Sequence, residues 1–189
     1  MKRLAIITVG KTHSGKTAFA RMLEDVLPNS FVMDQDNQAL FLNTYYKNLL
    51  PTEGPNTLKH ALSQVIVKHA MEQTDLHFII CNANRSRDSR AYLLDELFPS
   101  DRFVRILVHF DLADEVLHER VTTSARSTAI FRDATLTFEE LLSHQHREDV
   151  IDPIEGEADY LFVLKDSSEV ESVMQEIIHL AKNQKPLNI

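Results

Sequence analysis

The sequence predicts a doubly wound α/β fold, a five-stranded parallel sheet with helices on both faces, in a single domain over residues 1–189. Five short apolar runs, near 3–9, 31–34, 77–82, 103–110 and 160–165, alternate with segments of helical periodicity. The runs are almost continuously apolar, as in Phe78-Ile79-Ile80-Cys81, which suits parallel strands covered on both faces. A glycine-flanked polar loop joins the first run to the first helix, as a βα unit requires.

Arg3 to Val9 is apolar and β-branched and reads as a buried strand. Gly10-Lys11-Thr12-His13-Ser14-Gly15-Lys16-Thr17 follows and satisfies G-x-x-x-x-G-K-[S/T] in full. The chain has only four glycines, and this loop takes two of them. From Thr17 to Leu27 a helical stripe is formed by Phe19, Met22, Leu23, Val26 and Leu27. Strand, loop and helix in that order bind phosphate, because successive backbone N–H groups at a helix N-terminus wrap an anionic oxygen. All eight loop residues are therefore candidate nucleotide contacts. Lys16 is placed to reach the β- and γ-phosphates, and the Thr17 hydroxyl to sit on Mg²⁺. His13 either touches phosphate or fills space.

Phe31-Val32-Met33 runs into Asp34-Gln35-Asp36-Asn37, one helix and one strand after Lys16. In an extended segment residues i and i+2 point the same way, so both carboxylates are expected to face the loop. Phosphoryl transfer needs an anion near Mg²⁺ and a group that accepts the proton of the attacking hydroxyl. Asp36 is assigned as proton acceptor. Asp34 is assigned to the metal shell or to orienting the substrate. The competing reading is that one of them caps the next helix. Phe41, Tyr45 and Tyr46 either line a substrate pocket or anchor the core. Residues 55–73 read as a helix, with Leu58, Leu62, Ile66 and Ala70 at i+4 steps.

The third run ends in Cys81-Asn82 where many phosphate-loop enzymes place an acid, so metal support falls mainly to Thr17 and Asp34. Asn82 and Asn84 can orient a substrate hydroxyl or phosphate without charge. Arg85 is the expected contact for a substrate anion. Arg87 and Arg90 open a helix that carries Leu93, Leu94 and Leu97 inside, and are either further anion contacts or a solvated face. After the fourth run come Arg120, Arg126 and Arg132, and residues 126–136 show no helical period. A basic lid over about 120–137 is expected, closing on a triphosphate and stabilising the transferring phosphoryl.

Thr137 with Glu140 predicts a capping box opening a helix at about 138–147. Asp166 with Glu169 caps a last helix whose stripe is Val170, Val173, Met174, Ile177 and Ala181. Residues 185–189 read as a frayed end.

The composition, 43% hydrophobic and 25% charged, is that of an ordinary globular protein. A net charge of −8 without a basic arm argues against nonspecific coating of nucleic acid. Cys81 is the one cysteine, so no internal disulfide forms and a reducing, cytoplasmic setting is expected. No signal peptide is expected, because removing the first apolar run would destroy the phosphate loop. No stretch approaches the roughly 20 apolar residues of a membrane span. The histidines offer no zinc-site spacing.

With these positions in hand, the chain resembles the small phosphate-loop (P-loop) kinases of the branch that holds polynucleotide kinases, zeta-toxin-type kinases, and gluconate and shikimate kinases. Gly10 to Thr17 match the phosphate loop, and Val32 to Asp36 look like the D-x-D segment. Arg120 with Arg126 resembles the R-x₅-R lid signature, and Pro153 to Tyr160 the P-x-x-E-x-x-D segment before the last strand. The resemblance implies strand order 2-3-1-4-5, ATP as donor, Mg²⁺, and a hydroxyl acceptor activated by an aspartate. The expected activity is transfer of the γ-phosphoryl of Mg-ATP to a hydroxyl of a small-molecule or nucleotide-like acceptor. Lys16, Asp36, Arg120 and Arg126 are its expected catalytic groups. A nucleotide-binding regulator with little transfer activity and a nucleic-acid 5′-end kinase are the alternatives. The missing third-strand acid favours the first of these, and the charge opposes the second.

Overall fold

The computed structural model describes residues 2–148 and 150–183; the expected frayed end at 185–189 lies outside the described residues. Its centre is an all-parallel sheet in the order β2-β3-β1-β4-β5. The strands are β1 (Arg3–Gly10), β2 (Ser30–Asp34), β3 (His77–Cys81), β4 (Phe103–Phe110) and β5 (Tyr160–Leu164). The helices are α1 (Lys16–Val26), α2 (Gln35–Tyr45), α3 (Thr57–Gln73), α4 (Arg87–Ala91), α5 (Asp114–Thr122), α6 (Phe138–Arg147) and α7 (Val170–Lys182).

Alternation along β1 distributes the core. Leu4 and Ile6 face α1 and α7, where they meet Phe19, Leu23, Val173 and Ile177. Ala5, Ile7 and Val9 face α3 and the segment after α4, where they meet Val67, Ala70, Leu94 and Phe98. A strand buried on both faces has no polar phase, which is why β1, β3 and β4 read as unbroken apolar runs. The cover is not uniform. At the edge strand β5, Tyr160 and Val163 stay 41% and 40% exposed. The α1 stripe is also narrower than its periodicity suggests. Phe19, Ala20 and Leu23 are buried, whereas Met22 and Val26 are exposed.

Both predicted capping boxes form. Thr137 and Glu140 open α6, and Asp166 and Glu169 open a turn that leads into α7. In α3 the buried stripe is Ser63, Val67 and Ala70 rather than the leucines and Ile66, and it puts Lys59 one turn before Ser63 on the same face. Phe41, Tyr45 and Tyr46 do not anchor the core, and they line none of the three cavities described below. They cluster on the surface, with Phe41 5.5 Å from Tyr45 and 5.4 Å from Tyr46 between ring centroids.

Arg90 departs furthest from expectation. It lies on no solvated face, for its side chain is 0% exposed. Its guanidinium donates to Glu157 at 2.5 and 3.2 Å, and to the carbonyls of Ile151 at 2.8 Å and Arg85 at 2.5 Å. This bonds the turn after β3 to the segment before β5. In that segment Glu157 follows Pro153 by four residues, so it departs from the P-x-x-E spacing, and Asp159 is taken up by Arg105 at 2.8 Å. Beyond α4 the helix opens into a π turn over Tyr92–Leu97, closed by Phe98 N–H to the Leu93 carbonyl at 2.8 Å. Such turns accompany functional cavities, and this one leaves Leu93 and Leu97 on a cavity wall.

The C-terminal ends of β1, β3 and β4 converge on the phosphate loop. Gly10 N–H donates to the Ala83 carbonyl at 3.0 Å. Gly10 has φ 150°, and a Cβ there would meet the Phe110 carbonyl at 2.9 Å and Phe110 Cβ at 3.0 Å. Both belong to the neighbouring strand and cannot swing away. Gly10→Ala is therefore expected to cost about 2 to 3 kcal/mol. A loss under about 0.5 kcal/mol in urea unfolding contradicts this steric account.

Candidate functional site

The loop from Gly10 to Thr17 is clamped from outside. Gly15 takes a left-handed conformation at φ 103° and starts α1. Gln145 of α6 accepts from Thr12 N–H at 2.8 Å, and Lys11 pairs with Asp114 of α5 at 2.7 Å. His13 packs within the loop and also lines the cavity beside Lys16. Its ring contacts Phe138 edge-on at 4.8 Å and bonds Ser124 at 2.8 Å and Thr12 at 3.0 Å. Burial, reinforced by Arg126 and Lys16, lowers its pKa, so the ring stays neutral at neutral pH.

The Lys16 ammonium donates to the Lys11 carbonyl and to Ser14 Oγ at 3.1 Å. Burial lowers its pKa to about 8. Arg126 acts in the same direction, and Cys81, Asp36 and Asp34 oppose it. Polyphosphate binding needs this group charged, so above about pH 8 the protein must take up a proton to bind nucleotide. ATP affinity is expected to fall on the order of 20-fold between about pH 7.5 and about pH 9.5. Calorimetry at several pH values tests this. A flat wild-type profile, or a Lys16→Ala profile equally steep, contradicts the assignment.

Asp34 and Asp36 do not share an extended segment, because α2 begins at Gln35. Asp34 is its N-cap and accepts from Asp36 N–H at 3.0 Å. Asp36 sits in the first helical turn. Both carboxylates nonetheless line the cavity beside Lys16. Thr17 Oγ1 lies 3.4 Å from Asp34 Oδ2, and burial raises the Asp34 pKa. Cys81 lies beneath, 3.6 Å from Thr17 Oγ1, its thiol pushed up to about 11 by burial and so neutral. Among the described residues no cluster of three or more His, Cys, Asp or Glu can hold a metal. A hydroxyl beside one buried carboxylate still suits Mg²⁺, a hard ion that takes few protein ligands and completes its shell with phosphate oxygens and water.

The cavity beside Lys16 measures about 460 Å³, and Asp36, Lys59, Asn82 and Ala83 are shared with a second cavity of about 620 Å³ between α3 and β3. The candidate acceptor residues Asn82, Asn84 and Arg85 all line the second cavity. Asn82 Oδ1 accepts from Gln35 N–H at 3.3 Å. Asn84 donates to the Thr8 carbonyl at 2.9 Å, and its left-handed φ of 45° turns the chain out of β3. Arg85 is already engaged, by Glu148 and by the Gln145 carbonyl at 2.8 Å. Lys59 is a cation of this site that the sequence reading passed over. It stands one turn before the buried stripe of α3, which the leucines of that helix mask in the sequence.

The arginines of the R-x₅-R pair separate to opposite sides of the loop. Arg126 pairs with Asp36. Arg120 belongs to α5 and faces a third cavity of about 540 Å³, where it donates to Ser167 Oγ at 2.8 Å and to the His13 carbonyl at 3.3 Å. Arg132 donates to the carbonyls of Pro51 and Gly54, both at 2.7 Å. Residues 123–137, without regular structure apart from one turn at Thr128–Ile130, thus reach across to α2 and the loop after it.

No protein-family model and no curated protein matches the sequence. Solved structures resemble the fold. The Mycobacterium tuberculosis APS kinase CysC, in complex with AMPPNP and APS, is 14% identical over 96% of this chain and 99% of its own, with a TM-score of 0.59. Chaetomium thermophilum Kti12, in complex with ADP-AlF3, is 17% identical over 92% of this chain and 96% of its own, with a TM-score of 0.58. The shikimate kinase from Bacteroides thetaiotaomicron is 19% identical over 95% of this chain and 98% of its own, with a TM-score of 0.51. The chain has the fold of the small P-loop kinases, five parallel strands in the order expected from the sequence.

Proposed function

We propose that the protein is a phosphotransferase that moves the γ-phosphoryl of Mg-ATP to a hydroxyl of a small acceptor. The observation that carries this is the shared wall of two cavities, where Asp36 and Asn82 stand between the phosphate loop and a second, partly apolar chamber. A phosphate-binding loop alone serves a switch as well as a kinase. A second chamber opening onto it through a carboxylate serves transfer.

In this reading the loop amides and Lys16 grip the β- and γ-phosphates, and the nucleoside extends past Gly15 toward Arg120 in the third cavity. Thr17 and Asp34 would hold Mg²⁺, which neutralises charge on the β- and γ-oxygens when bound. Asp36 accepts the proton of the acceptor hydroxyl. Arg126 leaves Asp36 for the transferring phosphoryl, and residues 123–137 act as the lid that carries it. Each side chain of that pair is more than a third exposed, so the exchange costs at most about 1 kcal/mol. Among the described residues no helix is long and apolar enough to cross a membrane.

A regulator that binds nucleotide without transferring phosphate is favoured by Cys81 at the end of β3, where no acid stands. ADP release measured across a panel of hydroxylated metabolites separates the two. Release that rises sharply with one compound, with phosphate recovered on that compound, supports the kinase. Tight ATP binding with a flat response to every compound supports the regulator.

A further inference from the structure

We propose that the acceptor carries an oxyanion group, a carboxylate, phosphate or sulfate, and that Lys59 seats it in the cavity between α3 and β3. This rests on the kinase reading given above.

The cations around these cavities are committed, with one exception. Arg85 is held by Glu148, Arg126 by Asp36, Lys11 by Asp114, and Arg132 by two carbonyls. Lys16 belongs to the phosphate loop. The Lys59 ammonium makes no hydrogen bond and no ion pair with any described residue. It is partly withdrawn from water, and burial lowers its pKa despite the nearby carboxylates of Asp36 and Asp34. An ammonium held away from water without a partner is unfavourable, and a ligand oxyanion removes that cost on binding.

The backbone fixes where Lys59 stands. Asn56 caps the helix by accepting Lys59 N–H at 3.1 Å, and the Lys59 carbonyl accepts from Ser63 Oγ at 2.9 Å. Neutral polar groups surround it on the cavity wall, among them Gln64, whose amide donates to Tyr92 Oη at 2.9 Å. Of the charged groups on this cavity wall, Asp36 and Asp88 repel an oxyanion, Arg85 is paired with Glu148, and Lys59 attracts one. Lys59 and Asp36 both lie on the wall the two cavities share. One small molecule therefore reaches both, its anionic group on Lys59 and its hydroxyl at Asp36.

The reaction then balances simply. The acceptor O–H gives its proton to the Asp36 carboxylate, and its oxygen bonds the γ-phosphorus. The bond from that phosphorus to the β,γ-bridging oxygen breaks, and ADP leaves with the electron pair. Lys59 takes part in no bond change and acts as a positioning residue.

The test is calorimetry on the full chain saturated with Mg-AMPPNP, titrated with inorganic phosphate in one arm and sodium acetate in the other. A second anion site is expected in at least one arm, and the stronger arm identifies the class of oxyanion. Lys59→Met should weaken that site about 10- to 100-fold, and Lys59→Arg should retain it within about fivefold. Absence of second-site heat in both arms, or second-site affinity unchanged in Lys59→Met, overturns the proposal. Failure of AMPPNP to bind at all is a different result, which overturns the kinase reading and this inference together.

Discussion

Asp36→Asn is expected to lower phosphoryl transfer by about 10²- to 10⁴-fold, the range that a positioned general base contributes. Asparagine keeps the size of the side chain and can still accept a bond from Arg126, but it cannot take a proton from the acceptor. Asp36 rather than Asp34 is the expected base because Asp34 is spent on the α2 cap and faces Thr17. Among the described residues the Asp36 carboxylate has its hydrogen bond and ion pair with Arg126, and it opens into both cavities. ATP affinity should stay within about twofold, because the lost interaction belongs to the transition state and not to nucleotide binding. The readouts are ADP release with the stimulating compound of the panel and calorimetric ATP binding. Turnover within about tenfold of the parent would sink the assignment.

Arg90→Met is expected to destabilise the fold by about 3 to 5 kcal/mol. The substitution leaves the Glu157 carboxylate, 13% exposed, without its counter-charge, and it orphans the carbonyls of Arg85 and Ile151. An unpaired buried group costs its full desolvation, whereas a pair removed together costs less. Adding Glu157→Gln to Arg90→Met should therefore restore about 1 to 2 kcal/mol. Urea unfolding measures both. A single-variant loss below about 1 kcal/mol contradicts the role given to this pair.

Sequence reading reached far where a signal is local or periodic. The phosphate loop, the five strands and both capping boxes depend on near neighbours along the chain, and the structure places them within a residue or two of expectation. Partnership across the fold was out of its reach. Nothing near Arg90 announces that Glu157 waits 67 residues away. Arg85 read as a contact for a substrate anion, and its pairing with Glu148, distant in sequence, was not legible. Tyr45 and Tyr46 read as pocket lining or as core anchors because periodicity cannot tell a helix face covered by the sheet from one that overhangs it. Lys59 was passed over because the leucines beside it drew the stripe one position away from the true buried face.

The sequence by itself determined a parallel α/β sheet with a phosphate-binding loop at its first βα junction. An apolar run that terminates in glycines and a lysine has few other ways to fold. Only the tertiary structure decided which charges are already neutralised and which remain to meet a ligand. Charge pairing depends on distances between segments that lie far apart in the chain. It put Arg85 and Arg90 in structural bonds and left Lys59 on the wall between two cavities.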